Sequence, residues 1–506
     1  LQANVIALNK ILKELDVLEI TGPTEKFIQG IQYDSRKIEP EQAFIAIKGF
    51  TTDGHNYIEQ AFRKGARVFF VEKRIPVPDS TMVCLKNTRI DLAKIAQIYF
   101  NYPDKKLKII GITGTNGKTT TAYMLFSILK AAHWSPGLIS TIEYFDGKNW
   151  NNAERTTPES LDLFNLFHHM KFSGLKSVVM EVSSHSLVLH RVKGIKFIAG
   201  VFTNLGRDHL DFHASREDYF LAKRKLFEGM TENQKVVLNL DDPFSERIKS
   251  VTEGEIFFYS FKDSKATVFC EQYISGRGYN TIRVRIPSGV IHLKCNLVGE
   301  HNVYNLLAAI TTAVSLGFDE SFILAGMKNL PKIPGRSEFY RSPEGFSIYL
   351  DYAHTPEGIR KLLQGVWDTK PRNLIVVFGA GGDRDKGKRR EMGKAAEDYA
   401  DVIFLTNDNP RSEDPREIIE QILRGISEVS KVKVLENRYE AIWEALQCAR
   451  KGDAVVIAGK GHERYQEING LKIPFEDRKV LEEYFFEKGW ELKSGKDMAD
   501  EWLNSN

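Results

Sequence analysis

The chain has 506 residues, too many for one ordinary hydrophobic core, so two to four domains are expected. Charged residues make up 27% and hydrophobic residues 42%, the proportions of an ordinary soluble globular protein. A net charge of +3, with Lys and Arg spread rather than striped, gives no case for a nucleic-acid binder.

The four cysteines, Cys84, Cys270, Cys295 and Cys448, form no CxxC pair and read as buried thiols of a reducing compartment. No apolar run approaches the ~20 residues of a membrane span. Leu1-Gln2-Ala3-Asn4 opens no signal-peptide pattern, and the missing initiator Met suggests a processed or trimmed chain. A cytoplasmic protein with no membrane partner is expected.

Residues 1–105 read as a small α/β unit. Asn9–Leu15 looks helical, Ala43–Ile47 is a strand, Ile58–Arg63 a helix and Ala66–Val71 a second strand. Two polar loops punctuate it, Asp34-Ser35-Arg36 and Gly49 to His55 with its Asp53-Gly54-His55 end. Taken alone, both are turns.

Residues 106–333 open on a strand, a glycine turn and a helix. Leu107–Ile112 is apolar, Gly114-Thr115-Asn116-Gly117-Lys118-Thr119-Thr120 follows, and Met124, Leu125, Ile128 and Leu129 then fall at helical spacing. Backbone N–H groups and the positive helix end converge there, which makes a phosphate cradle. Lys118 would meet the β- and γ-phosphates, and Thr119 would offer its hydroxyl to Mg²⁺. The usual pattern has a glycine where this chain has Ile112; Gly111 is one place early.

Farther on, Ser177–Val182 is a buried strand carrying Glu181, and Phe197–Phe202 is a strand that leads to His209. Open α/β sheets place ligands off the carboxyl ends of their strands. Glu181 and His209 are therefore expected to join Thr119, phosphate oxygens and water around a metal. His209 and His213 lie four apart, but no H-E-x-x-H and no nearby cysteine supports zinc.

Residues 334–506 carry three strands, each running into a polar loop. Asn373–Phe378 precedes Gly379 to Asp385, Ala400–Leu405 precedes Thr406 to Arg411, and Ala454–Ala458 precedes Gly459 to Glu463. Three such loops at strand ends predict a doubly wound sheet with a binding face. The glycines show no G-x-G-x-x-G, which argues against a nicotinamide cofactor.

These motifs in this order resemble the ATP-dependent Mur ligases. The resemblance rests on Gly114 to Thr120, Glu181-Val182-Ser183-Ser184-His185, Thr203-Asn204-Leu205 with Asp208-His209-Leu210-Asp211, Gly299 to Asn305, Gly335-Arg336 and Asp351-Tyr352-Ala353-His354-Thr355-Pro356. It spans nearly the whole chain, and the misplaced glycine is a family trait. It implies an α/β fold of three domains: UDP-binding (1–105), a central P-loop ATPase with a mainly parallel sheet (106–333), and a C-terminal Rossmann-like domain (334–506). The implied activity is ATP-dependent addition of meso-diaminopimelate to UDP-N-acetylmuramoyl-L-alanyl-D-glutamate, with small molecules as its partners and a monomer expected.

Roles follow from the resemblance at matched positions. Ser35, Arg36 and His55 would hold the uridine nucleotide, and Thr156, Thr157, Ser184 and Arg191 the muramoyl dipeptide. Asn302, Arg336 and Asp351 would complete the ATP site with Gly114 to Thr120. Arg384, Asp408, Asn409, Arg411, Gly459 and Glu463 would hold diaminopimelate. Asp408-Asn409-Pro410-Arg411 matches the diaminopimelate-adding branch, where a guanidinium suits the far carboxylate that lysine lacks. Lys223 has the context of a surface helix lysine, yet matches the family's carbamylated lysine. Its CO₂-derived carbamate would join Thr119, Glu181 and His209 as metal ligands. Leu189 and Ser186 depart from that branch's usual Gln and Gly. L-lysine as the amine, a folylpolyglutamate synthase-like ligase, and a nucleotide-hydrolysing switch are the alternatives.

Overall fold

The computed structural model describes residues 5–49 and 52–492; residues 1–4, 50–51 and 493–506 lie outside them, among them Phe50 and Thr51 of the second polar stretch. The described chain forms two compact units that interleave in sequence. The first takes the described residues within 1–113, 134–200 and 222–228, and the second takes those within 114–133, 201–221 and 229–492.

In the first unit, a five-stranded sheet runs in the order Val17–Thr21, Thr81–Leu85, Val68–Val71, Gln42–Ile45, Gly30–Gln32. The first pair is antiparallel and the rest are parallel. The apolar run Val68–Val71 is buried at every residue, as a strand covered on both faces must be. The helix expected over Asn9–Leu15 is a short Leu8–Leu12 turn, because only Leu8 and Ile11 have a core to face. Ile58–Arg63 is helical, as its spacing predicts. Each polar stretch leads into a short 3-10 turn with an Asx cap, Ser35–Lys37 and Gly54–Tyr57: Asp34 accepts from the Arg36 N–H and Asp53 from the His55 N–H.

The same unit holds Pro136–Ile139, Ser177–Glu181 and Lys108–Thr113 as adjacent parallel strands. Gly111 belongs to the last of these and to no turn. A Cβ there would meet the Phe197 ring at 2.8 Å, so it is a packing glycine of the strand.

In the second unit, Lys118–Ala131 packs with Glu300–Ser315 and Glu320–Lys328. Lys235–Asn239, Glu255–Ser260 and Val268–Gly276 pair in parallel, and the last continues into an antiparallel meander with Tyr279–Ile286 and Gly289–Cys295. A separate six-stranded sheet runs Glu338–Arg341, Ser347–Asp351, Ala454–Ala458, Leu374–Phe378, Val402–Leu405, Val432–Val434. All but its first pair are parallel. Helices on both faces bury it in two apolar clusters. Its parallel strands therefore release Asp351, Gly379, Thr406 and Gly459 along one edge, as the doubly wound expectation requires.

Cys84, Cys270 and Cys295 are buried, but Cys448 is exposed near the end of the Arg438–Cys448 helix, against the expectation of four buried thiols. No helix among the described residues is long and apolar enough to cross a membrane.

Candidate active site

The glycine turn at the head of the Lys118–Ala131 helix is pinned by the loop that follows the strand ending at Phe202. The Thr115 N–H donates to the Asn204 carbonyl at 2.8 Å, and the Asn116 N–H to Asn204 Oδ1 at 3.1 Å. Thr203 Oγ1 and Asn204 Nδ2 donate back to the Asn116 carbonyl at 2.7 and 3.1 Å. The Gly206 N–H completes the set on Thr115 Oγ1 at 2.9 Å. Lys118 Nζ lies over the loop, donating to the Gly114 and Thr115 carbonyls at 2.9 Å each. Gly117 caps the helix at φ +85°, in the left-handed region that favours glycine.

A chain of polar contacts runs behind this turn. Asn305 donates to Asn302 Oδ1 at 3.1 Å, and Asn302 Nδ2 donates to Ser337 Oγ at 3.2 Å. The Ser337 N–H donates to Asp351 Oδ2 at 2.7 Å. Arg336 stacks on the Tyr352 ring, 4.7 Å from its centroid, and reaches Thr119 Oγ1 at 3.3 Å. Burial pushes the Asp351 carboxyl up, and the Arg336 guanidinium works against that rise. Asn302, Arg336 and Asp351 are thus linked to the Thr119 end of the helix, through Ser337, which no motif flags, and Asn305, which closes the Gly299 to Asn305 motif without an assigned role. Beside Arg336 and Ser337, a cavity of about 60 Å³ is lined by Leu297, Met327, Pro331 and Ile333.

A second cluster gathers the sheet's edge loops. Asn409 Nδ2 donates to Glu463 Oε2 at 2.7 Å, and Lys460 Nζ bridges Asn409 Oδ1 and Glu463 Oε2 at 3.1 and 3.0 Å. Lys460 is fully buried and was not singled out from the sequence. Burial would raise the Asp408 carboxyl, but Lys460, Arg438 and His354 together hold it down. The Gly459 N–H donates to the Asp351 carbonyl at 3.2 Å, which ties this cluster to the preceding one.

Arg411 sits at φ +52°, with Nε on Glu467 at 3.1 Å and Nη1 on the Gly382 carbonyl at 2.6 Å. Arg384 stands apart from this network, half exposed and 3.7 Å from Asp211. The Asp208 carboxyl falls to about 2; burial opposes this, but His209, His354 and Lys388 outweigh it. His209 itself is part-exposed at φ +55°.

In the first unit, Glu181 is fully buried. Its Oε1 accepts from the Thr141 N–H at 2.8 Å and its Oε2 from the Thr141 hydroxyl at 3.2 Å. Thr157 Oγ1 donates to the Glu181 carbonyl at 2.8 Å, the Thr156 and Thr141 hydroxyls lie 3.1 Å apart, and Arg191 donates to the Thr157 carbonyl at 3.0 Å. Ser184 is buried on the following turn, where Ser186 accounts for its own departure by donating to the Ser183 carbonyl at 2.6 Å. Leu189, the other departure, closes that short helix as its C-cap. Lys223 is 1% exposed, not the surface lysine its local sequence suggests.

Ser35 donates to Gln60 at 2.7 Å, and Arg36 lies open to solvent against Asp34. His55 is buried with both ring nitrogens committed: Nε2 accepts from the Glu72 N–H at 2.9 Å, so Nδ1 carries the proton and donates to Asp53 at 2.6 Å. It shapes its loop and has no ring nitrogen left for a ligand.

Three family profiles match in register with these clusters. "Mur ligase family, catalytic domain" covers residues 27–102, "Mur ligase middle domain" 112–313, and "Mur ligase, glutamate ligase domain" 335–461. The chain is 43% identical to the UDP-N-acetylmuramoyl-L-alanyl-D-glutamate--2,6-diaminopimelate ligase of Caldanaerobacter subterraneus subsp. tengcongensis, over 93% of this chain and 97% of that one. It is equally similar, at 43%, to the protein of the same name from Clostridium perfringens, over 94% and 98%. A solved structure of a protein of that name superposes with a TM-score of 0.67 at 29% identity, over 96% of this chain and all of that one. With the phosphate turn, the polar chain behind it and the edge-loop residues Asp408, Asn409, Gly459 and Lys460 inside the matched stretches, the chain belongs to the Mur ligase family.

Proposed function

We propose that this protein is an ATP-dependent amide ligase that joins meso-diaminopimelate to the D-glutamate side-chain carboxylate of UDP-N-acetylmuramoyl-L-alanyl-D-glutamate, a step of peptidoglycan synthesis. The observation that carries the reading is the line of contacts from the phosphate turn through Asn305, Asn302, Ser337 and Asp351, with Arg336 returning to Thr119. A turn that only hydrolysed nucleotide has no need of a second, amine-suited cluster at the neighbouring sheet edge. The domain roles follow the family resemblance: 1–105 for the uridine nucleotide, 106–333 for ATP, and 334–506 for the amine. The reading is of a monomer in the cytoplasm.

The triphosphate sits at the helix N-terminus, where the Gly114 to Thr120 amides and Lys118 face it. Asp351 takes the ribose, and the apolar cleft at Leu297 and Ile333 takes the base. Mg²⁺ prefers oxygen ligands, and the family resemblance implies that Thr119, Glu181 and a Lys223 carbamate would supply them, with His209 as a nitrogen donor. Lys223 is held inside the fold at 1% exposure, and the neutral form of a lysine amine is the one that adds CO₂. The chemistry such an ion would supply is neutralisation of charge between carboxylate and phosphate.

The D-glutamate carboxylate oxygen attacks the γ-phosphorus and ADP leaves. The free amine then attacks the acyl carbon, phosphate leaves, and the amine proton passes to solvent. Lys118 offsets the charge that builds as two anions meet. Thr156, Thr157, Ser184 and Arg191 orient the dipeptide, with Ser35, Arg36 and the loop shaped by His55 at its nucleotide end. On the amine side, Arg411 and Arg384 read the far carboxylate and Glu463 the ammonium, while Asn409 and Asp408 fix the loop above Gly459. A heavy-oxygen label in the D-glutamate side-chain carboxylate tests the route. Its appearance in released phosphate is expected, and label retained wholly in the peptide would refute it.

A further inference from the structure

Glu159 is 6% exposed and meets three guanidiniums. Arg191 lies 2.8 Å and Arg155 2.9 Å from its Oε1, and Arg89 lies 3.4 Å from its Oε2. The other charged groups close by are Asp162 and Lys37, which offset one another. One carboxylate thus serves three cations in a partly dry place, where buried charges are ordinarily paired one for one. The excess is real at the atomic level: Arg191 Nε is buried and has no hydrogen-bond partner among the described residues. The three cations differ in freedom. Arg191 and Arg89 are held, with side chains 11% and 15% exposed, whereas Arg155 is 49% exposed and touches Glu159 through Nη1. Arg155 directly precedes Thr156 and Thr157, and Arg191 is bonded to the Thr157 carbonyl.

We infer that this cluster is a carboxylate site in which Glu159 stands in for a substrate anion, and that Arg155 is the arm that swings from Glu159 onto the α-carboxylate of the donor's terminal D-glutamate. The inference rests on the proposed function, since it assigns an end to the muramoyl dipeptide. Two guanidiniums would grip the α-carboxylate and leave the side-chain carboxylate, the reacting one, pointing away. A carboxamide in the same place offers no charge and turns N–H donors toward guanidinium donors. Arg155 is therefore a specificity residue that separates an α-carboxylate donor from its α-carboxamide.

The test compares UDP-N-acetylmuramoyl-L-alanyl-D-glutamate with its D-isoglutamine analogue, which keeps the reacting carboxylate. Binding is measured by calorimetry and kcat/KM by ADP release, in the parent, Arg155→Ala and Arg155→Lys. The parent is expected to prefer the carboxylate by roughly 10- to 100-fold, the worth of a charge-assisted hydrogen bond. Arg155→Ala loses most of that preference through the carboxylate substrate alone, and Arg155→Lys keeps part of it. An unchanged ratio, or equal loss on both substrates, overturns the inference. A parent that binds neither muramoyl peptide overturns the functional reading instead.

Discussion

Replacing Gly117 by alanine probes the phosphate turn without removing a charge. The residue sits at φ +85°, and a Cβ added there would lie 2.1 Å from Asn305 Oδ1 and 3.1 Å from its Cγ. Left-handed backbone costs an alanine about 1–2 kcal/mol. Pushing Asn305 aside also breaks its bond to Asn302, worth about 1 kcal/mol. The sum, about 2–3 kcal/mol, falls on the groups that hold ATP, and converts to a roughly 30- to 150-fold loss of nucleotide affinity. Gly229 supplies the control: it has φ +78° with nothing within 4 Å of its would-be Cβ, so Gly229→Ala carries the backbone cost alone. ADP titration calorimetry with thermal denaturation separates the two. Gly229→Ala should lose the smaller amount of stability and keep ADP affinity, and only Gly117→Ala should lose ADP. Parent-like ADP binding by Gly117→Ala would refute the reasoning.

Lys118→Ala should lower kcat by about 10²–10³, the scale of a removed transition-state charge partner, in steady-state ADP release; near-normal kcat contradicts the assignment. Arg411→Ala should raise KM for meso-diaminopimelate by roughly 10- to 100-fold while leaving KM for ATP unchanged, because it reads only the amine's far carboxylate. For acid stability, the fully buried Arg389, bonded at 2.8 Å, holds the Glu413 carboxyl down to about 2 from its ordinary 4.5. A carboxylate with a depressed folded-state pKa stabilises above its unfolded value and loses that contribution as pH falls. The melting temperature should therefore drop between about pH 4.5 and 2, and Glu413→Gln should flatten that drop at the expense of stability at neutral pH. An equally steep drop in the variant argues against Glu413 as the source.

The buried parallel strands were legible because runs such as Leu374–Phe378 and Ala454–Ala458 are apolar on both faces and end at glycine or polar residues. The phosphate turn was legible because its chemistry is local. The meander over Val268–Cys295 was not read, although His292, Leu293, Lys294 and Cys295 alternate exposed and buried as a half-buried strand should. Its hairpins are local, closing at Gly276 against Tyr279 and at Ile286 against Gly289, but no turn signal as strong as Asn-Gly announces them. The Leu8–Leu12 helix came out short because periodicity says nothing about how much core a terminal segment will find. Lys460 and Ser337 escaped notice for a different reason: each acts by bridging residues far apart in sequence, and a bridge shows only when the fold closes it. Conversely, His55 stood in a plausible motif, yet its ring serves its own loop.

The amine specificity of ADP release tests the central claim most directly. With ATP, Mg²⁺ and UDP-N-acetylmuramoyl-L-alanyl-D-glutamate held constant, a panel of meso-diaminopimelate, L-lysine and no amine is compared. The account predicts rapid ADP formation with meso-diaminopimelate alone among the three. Equal rates with L-lysine would contradict the role of Arg411, and equal rates without an amine would contradict ligation itself.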